Sequence, residues 1–243
     1  MREWVFTILT KDPVLARAAD IAGIDRIGVD LEILGKPERQ QGLGTMISGH
    51  SEQDAHAVFP EIRSGARFAR VNPVNPGTKA EIEALLLAGV QVLMLPYFFS
   101  IRQVEIFAGL VGRRAMTVGL VETIAALGIV DDIIRLGLLT EIHFGLTDLG
   151  IDMRMTRPEI LRDPRFLESV ALVRRSEMPF GIAGFARPGD TALAYDPGTF
   201  ITEIAGLGAS RALIARSFLR SLGQYETLAD DVSALRGFLG QLG

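Results

Sequence analysis

Two acidic residues stand at the ends of apolar runs. Glu122 closes Thr117-Val-Gly-Leu-Val-Glu-Thr123, and Asp148 closes the polar turn of Glu141-Ile-His-Phe-Gly-Leu-Thr-Asp-Leu149. If both runs are neighbouring strands, the two carboxylates share one edge of a sheet. Mg²⁺ prefers oxygen ligands and usually takes only one or two carboxylates, leaving room for water or substrate oxygens. An oxo acid could chelate such an ion through its carboxylate and keto oxygen, and the ion would then stabilise an enolate. Each acid has a plainer alternative. Glu122 could cap the helix that follows, and Asp148 could be an ordinary turn acid.

What would position them is a repeating architecture. Short Val/Ile/Leu-rich runs alternate with amphipathic runs of ten or more residues, the pattern of a parallel sheet covered on both faces. Strands are expected near 5–9, 26–31, 68–71, 90–95, 117–121, 141–144, 180–185 and 212–215. Helices are expected near 13–22, 51–62, 79–88, 101–111, 124–136, 164–176, 199–206 and 227–239. Asp12-Pro13 and Ser51 read as helix starts, and Gly23, Gly89, Gly137 and Gly208 as helix stops. Eight strict alternations predict a single α/β domain over residues 1–243, a (β/α)₈ TIM barrel. An open doubly wound sheet is the rival. It would normally carry a glycine-rich turn after the first strand, where this chain has Thr10-Lys11-Asp12-Pro13. The 243 residues also suit one barrel of about 250.

In such a barrel the strand C-termini form the active face. Those positions supply Asp30 and Glu32 with the following Lys36 and Arg39, then Arg70 and Asn72, Pro96-Tyr97, Glu122, Thr147 and Asp148, Arg187 and Arg216. Arg70 could hold the developing enolate charge through a planar fork, or could simply pair with a nearby acid. Lys36, Arg39, Arg187 and Arg216 suit an anionic remainder of the substrate, the last two lying where barrels bind phosphate, and Asn72 and Thr147 are candidate substrate-binding residues on the same face. The Gly35–Gly44 loop could equally be a solvated surface. His50 is a candidate proton shuttle beside the second strand, with a capping or surface role as the alternative. His143, in phase inside its strand, reads as a buried structural histidine, and His56 as an exposed one.

Other chemistry is excluded or unsupported. There are no cysteines, hence no disulfides or thiolate metal sites. No zinc-spaced His cluster, P-loop or serine nucleophile elbow occurs. A net charge of −4 offers no basic surface for nucleic acid. Apolar residues make up 48%, but no run is clean enough to span a bilayer. Met1-Arg-Glu-Trp4 lacks the apolar core of a signal peptide, so a cytoplasmic protein is expected.

Five motifs in order add a resemblance. Gly28-Val-Asp-Leu-Glu32, Ala69-Arg-Val-Asn72, Val92-Leu-Met-Leu-Pro96, Leu120-Val-Glu-Thr123 and Phe144-Gly-Leu-Thr-Asp-Leu149 together resemble the HpcH/HpaI aldolase and citrate lyase β-subunit family. The resemblance implies a pyruvate/phosphoenolpyruvate-type barrel that is a carbon–carbon lyase. Glu122 and Asp148 match its Mg²⁺ (or Mn²⁺) ligands, and Arg70 matches the arginine on the oxo-acid oxygen. It implies a 2-oxo acid and an anionic or aldehyde co-substrate, and a homotrimer or homohexamer. Two further readings go with it: a citryl- or malyl-CoA-type lyase or condensing synthase, and a non-catalytic oxo-acid-binding barrel. The departure is at Ile33. The aldolase branch carries its proton-transferring histidine there, and the lyase branch a second acid. His50, a bound water or a phosphate of the substrate could serve in its place, and Glu32 is a further candidate catalytic residue next to Ile33.

Overall fold

The computed structural model describes residues 3–39, 49–193, 195–219 and 225–242. The eight strands are β1 (Val5–Leu9), β2 (Arg26–Asp30), β3 (Ala66–Arg70), β4 (Val92–Leu95), β5 (Met116–Val121), β6 (Glu141–Phe144), β7 (Phe180–Phe185) and β8 (Arg211–Ile214). Each pairs in parallel with the next, and β1 closes on β8 through Val5↔Arg211, Phe6↔Ala212 and Thr7↔Leu213. The expected barrel is therefore present, with every expected strand found within two residues of its place.

Strand alternation divides the barrel interior into layers. Arg26, Glu141 and Arg211 begin β2, β6 and β8 and meet at the N-terminal end. Above them Phe68, Val92, Met94, Val118 and Leu120 form a small apolar cluster, with Leu9 and Ala66 packed against it. Asp30, Arg70 and Glu122 follow at the C-terminal end. The larger core lies outside the strands, where Ile27, Leu93, Ile142 and Ile182 meet helix residues such as Leu15, Phe107, Phe166 and Ile204. A fully buried side chain of this size contributes about 1.5–3 kcal/mol, so this outer shell supplies most of the stability.

Local chemistry sets the helix ends. Asp12 accepts from Val14 N–H at 2.9 Å, and Ser51 forms a reciprocal capping box with Asp54. Gly137 and Gly208 end their helices in the left-handed region. The helix expected over 124–136 is two pieces, Ile124–Gly128 and Val130–Leu136. They break after a glycine, the poorest helix former here. Three short helices were not expected: Lys36–Arg39, Leu146–Met153 and Arg157–Ile160. The first two follow β2 and β6 directly, and the third follows the second within the β6–β7 connection. The polar loop read from the sequence continues into residues 40–48, outside the described residues. No helix among the described residues is long and apolar enough to cross a membrane.

Candidate active site at the barrel mouth

The mouth is built around Asp30, fully buried at the end of β2. Arg70, from β3, grips it with a two-pronged fork, Nε to Oδ1 and Nη2 to Oδ2, both at 2.7 Å. The register Asp30↔Arg70 places the two side by side. Lys36 and Arg216 approach the same carboxylate at 3.7 and 3.8 Å. Burial alone would lower the Arg70 pKa, but Asp30 and Glu32 hold it above its ordinary value. Arg70 is thus a permanently charged, fixed donor. The plainer alternative, pairing with a nearby acid, is true of it as well, and Asp30 is what aims it.

Glu32 sits two residues on. It receives Lys36 Nζ at 2.7 Å, Arg70 Nε at 3.3 Å and a short contact from Arg39. Burial pushes its pKa up, yet Arg70 and Lys36 outweigh that and leave it low. A carboxylate held by three cations is a poor proton acceptor near neutral pH. Its visible role is to anchor the short helix Lys36–Arg39 over the mouth.

Glu122 and Asp148 arrive from adjacent strands. Glu122 is not a helix cap; Thr123 takes that role, accepting from Ala126 N–H at 3.0 Å. Glu122 accepts from Tyr97 N–H at 2.9 Å. Gly145, which starts the helix Leu146–Met153, leaves room for it: a Cβ there would fall 2.6 Å from Glu122 Oε2. Burial, then Glu32 and Asp148, drive the Glu122 pKa well above the usual carboxylate range, against Arg70 and Arg39. Glu122 is a buried acid with too little positive charge near it. Asp148, also buried, lies in the first turn of that helix and accepts from Arg39 Nε at 3.0 Å.

Two hard carboxylates, one of them undercompensated, fit a divalent cation. No cluster of three or more potential ligands occurs among the described residues, so the pair would leave most of the ion's coordination to water and substrate, as Mg²⁺ prefers. One feature opposes the ion. Arg39 reaches Asp148 and Glu32 and stacks its guanidinium over the Tyr97 ring at 3.9 Å from the centroid. Tyr97 holds φ 45°, a backbone conformation costing about 1–3 kcal/mol for such a residue. That conformation presents its N–H to Glu122.

His50 lies on the other side of the mouth. Its Nδ1 accepts from the Asp30 backbone N–H at 3.0 Å. A backbone amide can only donate, so Nδ1 carries the lone pair and the ring proton sits on Nε2. Burial lowers its pKa, partly opposed by Asp30 and Asp54. The ring is therefore a neutral Nε2–H donor, which differs from the proton-accepting shuttle that its position suggests in the sequence.

Other expected site residues take different places. Asn72, expected to bind substrate, has both ends of its amide occupied. Its Oδ1 accepts from Ile33 and Leu34 N–H at 3.0 and 3.1 Å, and its Nδ2 donates to Glu81. It is a positioning residue for the loop after β2. Arg187 pairs with Asp231 of the C-terminal helix at 3.1 Å and stacks on Phe218, which draws it toward the outer ring. Thr147 accepts from Arg157 Nη2 at 3.2 Å. His143 is the structural histidine expected, buried with Nε2 2.7 Å from Glu141. Sequence reading placed Tyr97 at the barrel mouth without giving it a role, and it missed Arg157. Pro96-Tyr97 at a strand end was a visible signal for the first. Arg157 had none.

No family model matches the sequence, and no curated protein matches it. Solved structures do. An HpcH/HpaI aldolase from Desulfitobacterium hafniense DCB-2 is similar with a TM-score of 0.65 and 15% identity, over 97% of this chain and 93% of that one. The citrate synthase SbnG gives 0.66 and 14%, over 97% and 94%. An HpcH/HpaI aldolase/citrate lyase family protein from Burkholderia cenocepacia J2315 gives 0.66 and 14%, over 99% and 95%. At these identities the shared property is the fold, and it is the fold that the five motifs implied.

Proposed function

We propose that the chain is a divergent member of the HpcH/HpaI aldolase and citrate lyase family. In this reading it makes or breaks a carbon–carbon bond through the enolate of a 2-oxo acid. The observation that carries the reading is the meeting of Glu122 and Asp148 from adjacent strands in the mouth that also holds Arg70. A bound Mg²⁺ (or Mn²⁺) would supply Lewis-acid stabilisation of the developing enolate charge. Glu122 and Asp148 would hold it. Arg70, locked by Asp30, would present a fixed positive charge to the substrate oxygens at no reorganisation cost. His50 would donate from Nε2 to an oxygen of the substrate, the role of a neutral imidazole that polarises rather than deprotonates. Glu32 and Lys36 would keep the loop closed over the site, and Arg216 would add positive charge for an anionic substrate. A cytoplasmic homotrimer or homohexamer goes with the same proposal. The solved citrate synthase of this fold supports the condensing direction as well as the cleaving one.

The test is proton exchange. Pyruvate incubated in D₂O with Mg²⁺ should lose its methyl signal in the NMR spectrum, and Glu122→Ala should stop the loss without unfolding the protein. Full exchange in that variant would sink the assignment. A second reading, a barrel that binds an oxo acid without turning it over, is favoured by one observation. Ile33 is 43% exposed where the family histidine would stand, and Glu32 is held as a carboxylate. That reading expects pyruvate binding with no deuterium uptake.

A further inference from the structure

Arg157 is built into its place with unusual care for a residue on a four-residue helix. Its Nη1 donates to Tyr195 Oη at 3.1 Å, and its Nη2 donates to Thr147 Oγ1 at 3.2 Å. Its guanidinium carbon lies 5.4 Å from the Tyr195 ring centroid. Strand β7 makes space for it. The β7–β8 register shifts between Ala183 and Phe185, and Gly184 takes φ +103°, with a Cβ there falling 3.3 Å from Arg157 Nη1.

All of these partners are neutral. Among the described residues Arg157 forms no ion pair with any carboxylate, whereas the buried Arg26 and the half-buried Arg39 and Arg70 are each neutralised by an acid. Arg157 faces a cleft of about 540 Å³ whose other walls include Tyr195, Phe200 and Pro158. That volume is within the roughly 300–1,000 Å³ of small-molecule sites. The cleft's two acids are already engaged. Glu203 pairs with Arg162 at 2.9 Å, and Asp196 caps its helix through Gly198 N–H, Thr199 N–H and the Thr199 hydroxyl. A second cleft of about 430 Å³ runs along the other side of Arg157 to Thr147, the neighbour of Asp148.

We propose that this cleft binds a small organic anion with an apolar or aromatic body. Arg157 takes the carboxylate or equivalent head, and Tyr195, Phe200 and Pro158 pack the body. A preorganised guanidinium with neutral partners has unused donors for a planar anion, and the apolar walls give it a substituent to select. Thr147 and Tyr195 are positioning residues that hold the guanidinium. On the aldolase-like reading, and only for this last step, the occupant is the second substrate. Its anionic end would then rest on Arg157, on the β6–β7 side of the mouth, rather than on Arg187.

The experiment uses benzoate as the probe and benzyl alcohol as its uncharged match. Both are titrated calorimetrically into the full chain with Mg²⁺, with and without saturating oxalate as an occupant of the mouth. Benzoate should bind at least tenfold more tightly than benzyl alcohol, and oxalate should not displace it. Arg157→Gln should weaken benzoate at least tenfold, and Thr147→Val, which keeps the charge but frees it, several-fold. Arg157→Lys covers the case in which the glutamine variant does not fold, and should also weaken benzoate because an ammonium lacks the fork. Equal affinity for the two probes, unchanged binding in both Arg157 variants, or displacement by oxalate would overturn the proposal. Failure of the aldolase-like reading looks different: oxalate would not bind with Mg²⁺ while benzoate still would.

Discussion

The barrel has a charged layer at each end, and the two layers are made differently. At the N-terminal end Glu141 is gripped by Arg26 through two bonds of 2.7 and 2.9 Å, by Arg211 at 3.0 Å and by His143 at 2.7 Å. All four residues stand on strands β2, β6 and β8. Every oxygen of the acid has a partner that the sheet itself fixes. At the C-terminal end four acids, Asp30, Glu32, Glu122 and Asp148, share their cations unequally. Asp30 and Glu32 have several, while Glu122 is left with its pKa pushed up by burial and by its acidic neighbours. The cations Lys36 and Arg39 come from a single helical turn in the loop after β2, not from strands. The acid of the lower layer is satisfied without a ligand, although the buried His143 Nδ1 has no hydrogen-bond partner there. The upper layer leaves Glu122 undercompensated, and that imbalance distinguishes the candidate active face more clearly than charge alone.

The largest expected effect belongs to the lower layer. Glu141→Gln would leave Arg26, buried to 5% exposure, facing a neutral amide. Breaking a buried pair in this way costs about 3–5 kcal/mol, read as a lower denaturation midpoint in urea. The pH dependence has a definite sign. Burial would raise the Glu141 pKa, but the hydrogen bonds and charges of His143 and Arg26 hold it far below its ordinary value of 4.5. The stabilisation is therefore fully present above about pH 4.5, the unfolded value, and is lost only as pH falls below it toward the depressed native one. The gap between wild type and variant should stay constant from neutral pH down to that point and narrow below it. A gap already closing near pH 6 would mean that Glu141 is not the anchor of this layer.

The difference between the layers also shows what the sequence could reveal. The strands were legible because a strand buried on both faces must be apolar throughout, as in Val92-Leu-Met-Leu95, and its end is where the first polar residue stands. That rule alone places Glu122, and with Gly145 before it, Asp148. The role of Asn72 was not legible. An asparagine at a strand end serves substrate or backbone equally well, and only the loop's path puts Ile33 and Leu34 N–H onto its oxygen. Arg157 was less legible still. Its helix of four residues has no hydrophobic period, and its partners Thr147 and Tyr195 are 10 and 38 residues away. Local sequence carries no trace of such a cluster until the fold has closed.

One buried and one half-buried histidine sharpen the same contrast. His143 places Nε2 on a carboxylate, whereas His50 places Nδ1 on the Asp30 amide. His50 should therefore carry its proton on Nε2 at neutral pH, visible in the ring nitrogen shifts of labelled protein. His50→Gln, whose amide can still donate from near the Nε2 position, should lose about tenfold in pyruvate exchange. His50→Ala should lose about a hundredfold or more, the scale of one missing oxyanion donor. Equal losses in the two variants, or a titrating ring with its proton on Nδ1, would return His50 to the part of a base.

The smallest effect tests whether the upper layer's cations are replaceable. Arg39 occupies Asp148, one of the two acids suited to a divalent ion. Guanidinium and metal therefore compete for the same oxygen, and binding of the ion must include the cost of releasing Arg39. Arg39→Ala removes that competition. Mn²⁺ affinity, followed by the electron paramagnetic resonance signal of the free ion, should rise about tenfold, equivalent to about 1.4 kcal/mol. Folding stability should also fall, since the buried Asp148 loses Arg39 while Glu32 keeps Lys36 and Arg70, so the affinities are compared under conditions where both proteins are folded. Asp148→Asn should instead weaken Mn²⁺ binding, whether or not Arg39 is present. If Arg39→Ala binds Mn²⁺ no better than wild type, the guanidinium does not compete with the metal. The upper layer would then be as closed a structure as the lower one, and the contrast between the two ends of the barrel would fall.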